Sequence, residues 1–212
     1  MKSSYYLMFV ILLMCGVCSF GAPKPAVVQR GGTWTVDIKY EDPQQIEFRV
    51  EGSREVQRFW YLIVTLTNNT DRDVDFYAKS ELVTDTFEVL GSGRMTPSIV
   101  FKRIKLRHQS KYPFLELLEE SGHRLLQGAD HTKDIVIIWP DFDAKAKGIR
   151  LYVTGLSNET AVIEHPVKKD ADGNALKVFL RKTLELSYKV SGDAAFRYDA
   201  KLMFEGQRWV MR

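Results

Sequence analysis

Cysteine is almost missing from this sequence. The chain of 212 residues has two, Cys15 and Cys18, and both fall within its first twenty positions. No disulfide framework can therefore be drawn over the remainder, and a fold there has to be held by its core. Long hydrophobic runs are lacking as well: the longest, from Leu7 to about Val17, is well short of the ~20 residues a spanning helix needs. Nor is there an excess of charge of one sign. Lys and Arg number 30 against 27 Asp and Glu, a formal net charge of +3, so neither nucleic acid nor an anionic membrane is implied for the chain as a whole. Internal repeats, low-complexity segments and interdomain linkers are also missing, which leaves one domain as the expectation.

What is present begins with "MKSSYYLMFVILLMCGVCSFGAPKP". One lysine, an apolar stretch, then small residues and a proline is the order of a secretory signal. Ser19 and Gly21 occupy the −3 and −1 positions if cleavage falls before Ala22. Residues 1–21 are thus expected to be a signal peptide, and residues 22–32 a flexible leader. Acylation of Cys15 or Cys18 would instead give a lipoprotein, but Met14 and Val17 precede them where a lipobox needs small residues. The expected product is exported to the periplasm or beyond. Loss of Lys2 takes its formal charge from +3 to +2, and its roughly 190 residues suffice for one good core.

From residue 33 the pattern has period two. "TWTVDIKY" alternates Trp34, Val36, Ile38 and Tyr40 with polar residues, and "QIEFRVEG" does the same with Ile46, Phe48 and Val50, as strands with one buried face do. Pro43 in "EDPQQ" breaks them apart. "FWYLIVTL", Phe59 to Leu66, is apolar on both parities, which predicts a central strand covered on both sides. "NNTDRD" is a hairpin loop, after which Val74 and Phe76 face one way and Asp73, Asp75 and Tyr77 the other. "SELVTDTFEVLGSG" reads as extended chain. In "MTPSIVFKRIKLRH", Thr96 is placed as an N-cap and Pro97 as the first helical residue, with Val100, Phe101, Ile104 and His108 at helical spacing; this helix is expected to cross one edge of the sheets. "YPFLELLEESGHRLLQGADHTK" fits either a second helical turn or irregular extended chain. Strands resume through "DIVIIWP", "IRLYVTGLS", "TAVIEHPV", "KVFLRKTLELSYKV" and "FRYDAKLMFEGQRWVMR". Nine or ten strands to one or two short helices predicts an all-β sandwich over residues 33–212.

Candidate chemistry is thin. Asp71, Asp73 and Asp75 alternate as calcium-loop ligands do, yet such a loop needs glycine at its sixth position and glutamate at its twelfth, where this chain has Phe76 and Leu82. Ser157 in "GLSNE" resembles a nucleophile elbow, but the elbow requires a second small residue where Glu159 stands and a helix where a β run follows. His108, His123, His131 and His165 have no zinc-ligand spacing. Asp141 with Asp143, or Glu159 with Glu164, could pair as glycosidase acids if brought about 5 to 9 Å apart across a cleft. Lys102, Arg103, Lys105, Arg107 and Lys111 form the one concentrated cationic patch; it reads first as a solvated helix face and second as a contact for a polyanion or anionic surface. Asn68 ("NNT") and Asn158 ("NET") satisfy the glycosylation sequon.

Several segments together, "FWYLIVTLTNNTDRDVDF", "TPSIVFKRIKLR", "LLQGADHTKDIVIIWPDFD", "IRLYVTGLSNET" and the closing "TLELSYKVSGD" to "QRWVMR", resemble a group of exported proteins of planctomycetes and related bacteria. The resemblance implies an envelope location and an immunoglobulin-like sandwich; it implies no activity and carries over no catalytic residue. The expectation is therefore a non-catalytic binding or structural module of the cell envelope, with another envelope or extracellular protein as its partner and no cofactor, metal or nucleic acid. Its expected interaction surface draws on Lys102, Arg103, Lys105, Asp141, Asp143, Ser157 and Glu159. The alternatives are a hydrolase or carbohydrate-active protein using the loop carboxylates, and a calcium-stabilised adhesin-like domain.

Overall fold

The computed structural model describes residues 26–28, 32–49, 56–93 and 96–212; the expected signal peptide lies outside them. Among the described residues the fold is all-β, two packed sheets with one α-helix. In the smaller sheet, strands β2 (Asp37–Tyr40) and β3 (Gln44–Arg49) lie end to end along one edge of β4 (Val56–Asn68), Ile38 opposite Leu66 and Ile46 opposite Phe59. The other edge of β4 pairs antiparallel with β10 (Gly128–Pro140), Ile63 opposite Val136 and Trp60 opposite Trp139. Beyond β10 lies the short parallel strand β8 (Glu116–Leu117).

The larger sheet is built around β13 (Ala175–Ser191). One edge of it carries β14 (Lys201–Met211). The other carries β11 (Gly148–Thr154) and then β12 (Thr160–Lys169), both antiparallel to it and interrupted between them by Gly155–Glu159. Strands β6 (Lys79–Thr84) and β7 (Val89–Gly91) continue the sheet beyond β11, and β1 (Ala26–Val28) lies against the start of β12. Part of the segment expected to be a loose leader is thus paired as a strand. A separate ladder joins β5 (Val74–Asp75) to β9 (Arg124–Leu125).

The two parities of β4 explain its composition. Trp60, Leu62, Val64 and Leu66 enter the core between the sheets with Ile135, Ile137, Trp139, Leu82, Leu151, Leu184 and Leu186. Phe59, Tyr61 and Ile63 point the other way, into a second cluster with Ile46, Val136 and Ile138. That cluster is closed by α1 (Ser98–His108), whose Val100 and Ile104 are buried in it. The helix therefore covers the outer face of the smaller sheet as a third layer and does not cross a sheet edge as expected: an outward face rich in Phe59, Tyr61 and Ile63 needs a cover of its own.

Three local expectations are corrected. Pro97, not Thr96, is the residue before the first helical turn; it is extended (ψ 139), no side chain caps the helix, and the buried Thr96 hydroxyl has no partner. "SELVTDTFEVLG" does not stay extended. It doubles back between β6 and β7 through a tight turn in which Thr84 Oγ1 accepts from Glu88 N (3.0 Å) and Phe87 takes a left-handed φ of 68. "AAFRYD" is a 3-10 segment, Ala194–Asp199, and the last strand starts after it. The ambiguous middle resolves into β8, a 3-10 turn at Leu118–Glu120, β9 and the first half of β10.

Candidate functional site

The interruption between β11 and β12 assembles the most connected polar cluster that includes sequence candidates. Gly155 makes the break possible. Its φ of +83 belongs to the left-handed region, and a Cβ there would stand 2.3 Å from the Tyr77 carbonyl oxygen, so glycine is required. The chain then bulges away from β13, and Thr35 bridges to Ser157. Thr35 Oγ1 donates to Ser157 Oγ (2.9 Å), Ser157 Oγ donates its proton to the Trp34 carbonyl (2.9 Å), and Glu159 N donates to the same hydroxyl (3.1 Å). The Ser157 hydroxyl is nearly buried (7 % exposed) and committed to the backbone, with no imidazole among its partners. The elbow does not form, and Ser157 pins the segment ahead of β2 to the break between β11 and β12.

Glu159 is held in the same cluster. Its Oε1 accepts from Lys182 Nζ (2.5 Å) and shares the one Thr35 hydroxyl proton with Ser157 Oγ. The Lys182 bond, more than the Thr35 bond, holds its carboxyl below the usual glutamate range against the opposing effect of burial. Lys182 lies 5.3 Å from the centroid of the Trp209 ring. Beside this network opens a shallow cleft of about 240 Å³, lined by Trp34, Asp75, Tyr77, Asn158 and Arg181. Tyr77 is well exposed and stacks on His123, ring centroids 4.6 Å apart.

From this cleft β12 and β13 run on together as an arm. Ala161 pairs with Leu180, Ile163 with Val178 and Lys169 with Ala175. Val167 (82 % exposed) and Phe179 (62 %) stand on its surface. Its two edges differ. On β12, Pro166, Lys168 and Lys169 follow the part covered by β1, and His165 Nδ1 accepts from the amides of Val167 and Lys168 in a local bulge; proline, lysine and bulges are the features that discourage strand addition. On β13, Arg181 exchanges backbone bonds with Arg212, but among the described residues no strand lies along Ala175–Leu180 on that edge. It is an open ladder with apolar side chains.

Asp141 and Asp143 sit elsewhere, in the loop after β10. Asp141 Oδ1 accepts from Trp60 Nε1 (2.7 Å) and Arg197 (3.2 Å), while Oδ2 faces Arg58 at 3.4 Å. Arg197 also lies 4.1 Å over the Phe142 ring. Asp141 thus ties the 3-10 segment and β4 to the end of β10. Asp143 caps its own loop, its Oδ1 accepting from Lys145 N (2.9 Å), and that backbone bond is the main reason its carboxyl titrates below the ordinary range. Asp141 and Glu159 share no hydrogen-bond partner, and Glu164 is exposed on the arm. Among the described residues, no group of three or more His, Cys, Asp and Glu is placed to hold a metal ion. Asp73 bonds Arg124 (3.0 Å) and the Gln127 amide, so the acid ladder opened by Asp71 ties the loop after β4 to β9; β5 pairs with β9 and not with β4, and the loop is therefore not the hairpin its turn residues predicted. Asn68 is fully buried and bonds the Arg72 and Leu125 carbonyls; the first sequon is a structural turn inside the folded chain.

Lys102, Arg103 and Lys105 are exposed on α1. They share no element or contact with either acid cluster, so the candidates drawn from the sequence divide into three places. Thr35, Trp34, Lys182 and the open edge at Ala175–Leu180 were not found by reading the sequence. Thr35 lies 122 residues from Ser157, and no local pattern joins them; for the arm the signal was there, in apolar residues on both parities of "ALKVFL" next to a turn. Among the described residues no helix is long and apolar enough to cross a membrane. Comparison of the chain with protein-family models, with curated proteins and with solved structures gave no match in any of the three.

Proposed function

We propose that the chain is an exported, non-catalytic module of the bacterial envelope that binds another envelope or extracellular protein by strand addition to its arm. The observation that carries this reading is the edge of β13 at Ala175–Leu180, which no strand among the described residues covers, in line with β14 and carrying Val178, Phe179 and Leu180. A ladder of unpaired amides and carbonyls gives a partner strand affinity, and the alternating side chains give it selectivity. The side chains first considered for catalysis favour the same reading, since Asp141, Glu159 and Ser157 are each engaged in bonds that hold loops together. Export rests on the n-region, apolar core and small-residue end of residues 1–21.

The test is in vivo crosslinking of the full-length chain in its host, with fractionation. Phe179→Asp should abolish a specific envelope crosslink while leaving the melting temperature unchanged, because Phe179 is exposed. Recovery of the product inside the cytoplasm with residues 1–21 intact would overturn the export. Hydrolysis of a glycoside or ester that disappears in Glu159→Gln would overturn the non-catalytic reading.

A further inference from the structure

The outward face of α1 has a composition that its role as a cover does not require. Helical spacing sets Ile99, Lys102 and Leu106 opposite the buried pair Val100 and Ile104. Lys105 flanks that stripe on one side and Arg103 on the other, while Arg107 falls on the side of Val100, where its Nη1 donates to the Tyr61 hydroxyl (3.3 Å). Leu106 is 73 % exposed and Ile99 38 %. The helix has no acidic residue anywhere along "SIVFKRIKLRH". Just after it Lys111 continues the positive character, and Phe114, adjacent in sequence to the cluster residue Leu115, is 82 % exposed.

The cations of this face are not consumed by ion pairs. Among the described residues, Lys102, Arg103 and Lys105 make no salt bridge, whereas Lys111 pairs with Glu41. Arg103 sits 4.9 Å over the Phe48 ring, and Lys105 lies 5.8 Å from the Phe101 ring centre. In both, the charged head itself rests against an aromatic ring, a contact that leaves it without an anionic partner. Lys105 and Arg107 in the last turn complement the helix dipole. That accounts for two cations and leaves Lys102 and Arg103, in mid-helix, without such a role. An ordinary solvated face would alternate the signs of its charges and would not centre two large aliphatic side chains.

We infer that this face docks the protein on an anionic phospholipid surface, with Leu106 and Ile99 entering the headgroup boundary and Lys102, Arg103 and Lys105 meeting lipid phosphates. Exposed aliphatics flanked on both sides by cations suit a helix lying in the plane of a bilayer interface. A soluble polyanion would use the same charges but has no apolar layer to receive Leu106. The attraction is local: with a formal net charge of only +3 the whole molecule is not drawn to the membrane, so one face is presented. This surface is separate from the β13 edge, which stays available to a protein partner.

The experiment is co-sedimentation of the purified chain lacking residues 1–21 with vesicles of phosphatidylcholine, alone or with about a third phosphatidylglycerol. Binding is expected only to the mixed vesicles and should weaken steeply between ~0.05 and ~0.5 M salt. The triple variant Lys102→Glu, Arg103→Glu, Lys105→Glu should partition roughly a hundredfold more weakly, and the single variant Lys102→Glu, tested with it, about fivefold more weakly. Leu106→Ser should lower vesicle binding about fivefold while leaving retention on heparin unchanged. Circular dichroism confirms that each variant is folded. Phe179→Asp should bind vesicles normally, which separates this inference from the proposed protein partner. Equal binding to both vesicle types would overturn it, as would retention on heparin without vesicle binding or full vesicle binding by Leu106→Ser.

Discussion

At the scale of single residues, Gly155 and Glu159 hold the site together by different physics. Gly155→Ala forces a Cβ against the Tyr77 backbone in a left-handed conformation and should lower the unfolding free energy by about 2–3 kcal/mol, read as a shift in the urea midpoint. Glu159 makes a prediction about pH. Its folded pKa lies below the unfolded value, principally because Lys182 donates to it, so the folded protein binds the proton less readily than the unfolded chain. The stability it contributes is fully present above the ordinary glutamate range, near pH 4.3, and is lost as pH falls through the lower, folded value. Urea midpoints of Glu159→Gln and the parent should therefore differ at pH 7 and converge as the pH falls below the ordinary glutamate range; a gap that does not narrow on acidification would contradict the assignment. Ser157 and Glu159 were legible as candidates because their residue types and turn setting stand out locally. Their roles were not, since the groups that fix those roles, Trp34, Thr35 and Lys182, arrive from 23 to 124 residues away.

At the scale of elements, β4 and α1 show where periodicity informs and where it stops. Apolar residues on both parities of Phe59 to Leu66 correctly announce a strand covered twice, because each side of a pleated strand samples a different environment. The same pattern does not say what supplies the second cover. That element is α1, legible as a helix from Val100 and Ile104 but not placeable, since spacing gives a buried stripe and no partner for it. The placement makes unequal predictions for two neighbouring positions. Ile104→Ala empties a fully buried site between the helix and the smaller sheet and should cost about 3 kcal/mol. Leu106→Ala, two residues on and mostly exposed, should change stability by no more than about 0.5 kcal/mol. Chemical unfolding of the pair measures this contrast, and equal losses would mean that the helix is packed the other way round. The turn at Thr84–Glu88 was missed for a related reason: it places Phe87 at φ 68, a conformation the usual turn residues Gly, Asn and Asp adopt far more readily, so nothing in "TDTFE" advertises it.

At the scale of the whole molecule, the all-β class was legible because it depends on alternation and turn chemistry repeated along the chain, whereas the sheet order depends on pairings that sequence spacing does not encode. Trp60 meets Trp139 across β4 and β10, and Trp34 is tied to Asn158, both long-range closures of the kind that make β folds slow to form. Both sheets contribute to one core, and β4 is shared between that core and the layer under α1. Loss of the helix would expose Phe59, Tyr61 and Ile63 on the strand whose other face carries Trp60, Leu62 and Val64, so the three layers should unfold together. The chain without residues 1–21 is accordingly expected to show coincident urea transitions by tryptophan fluorescence, which reports Trp60 and Trp139 between the sheets, and by far-ultraviolet circular dichroism, which reports strands and helix. Reductant should leave both unchanged, because Cys15 and Cys18 are the only thiols in the sequence and neither is in that fragment. A helical signal lost ahead of the tryptophan signal would show instead that α1 is a separately stable cover, and the smaller sheet would then have to persist with its outer apolar face in water.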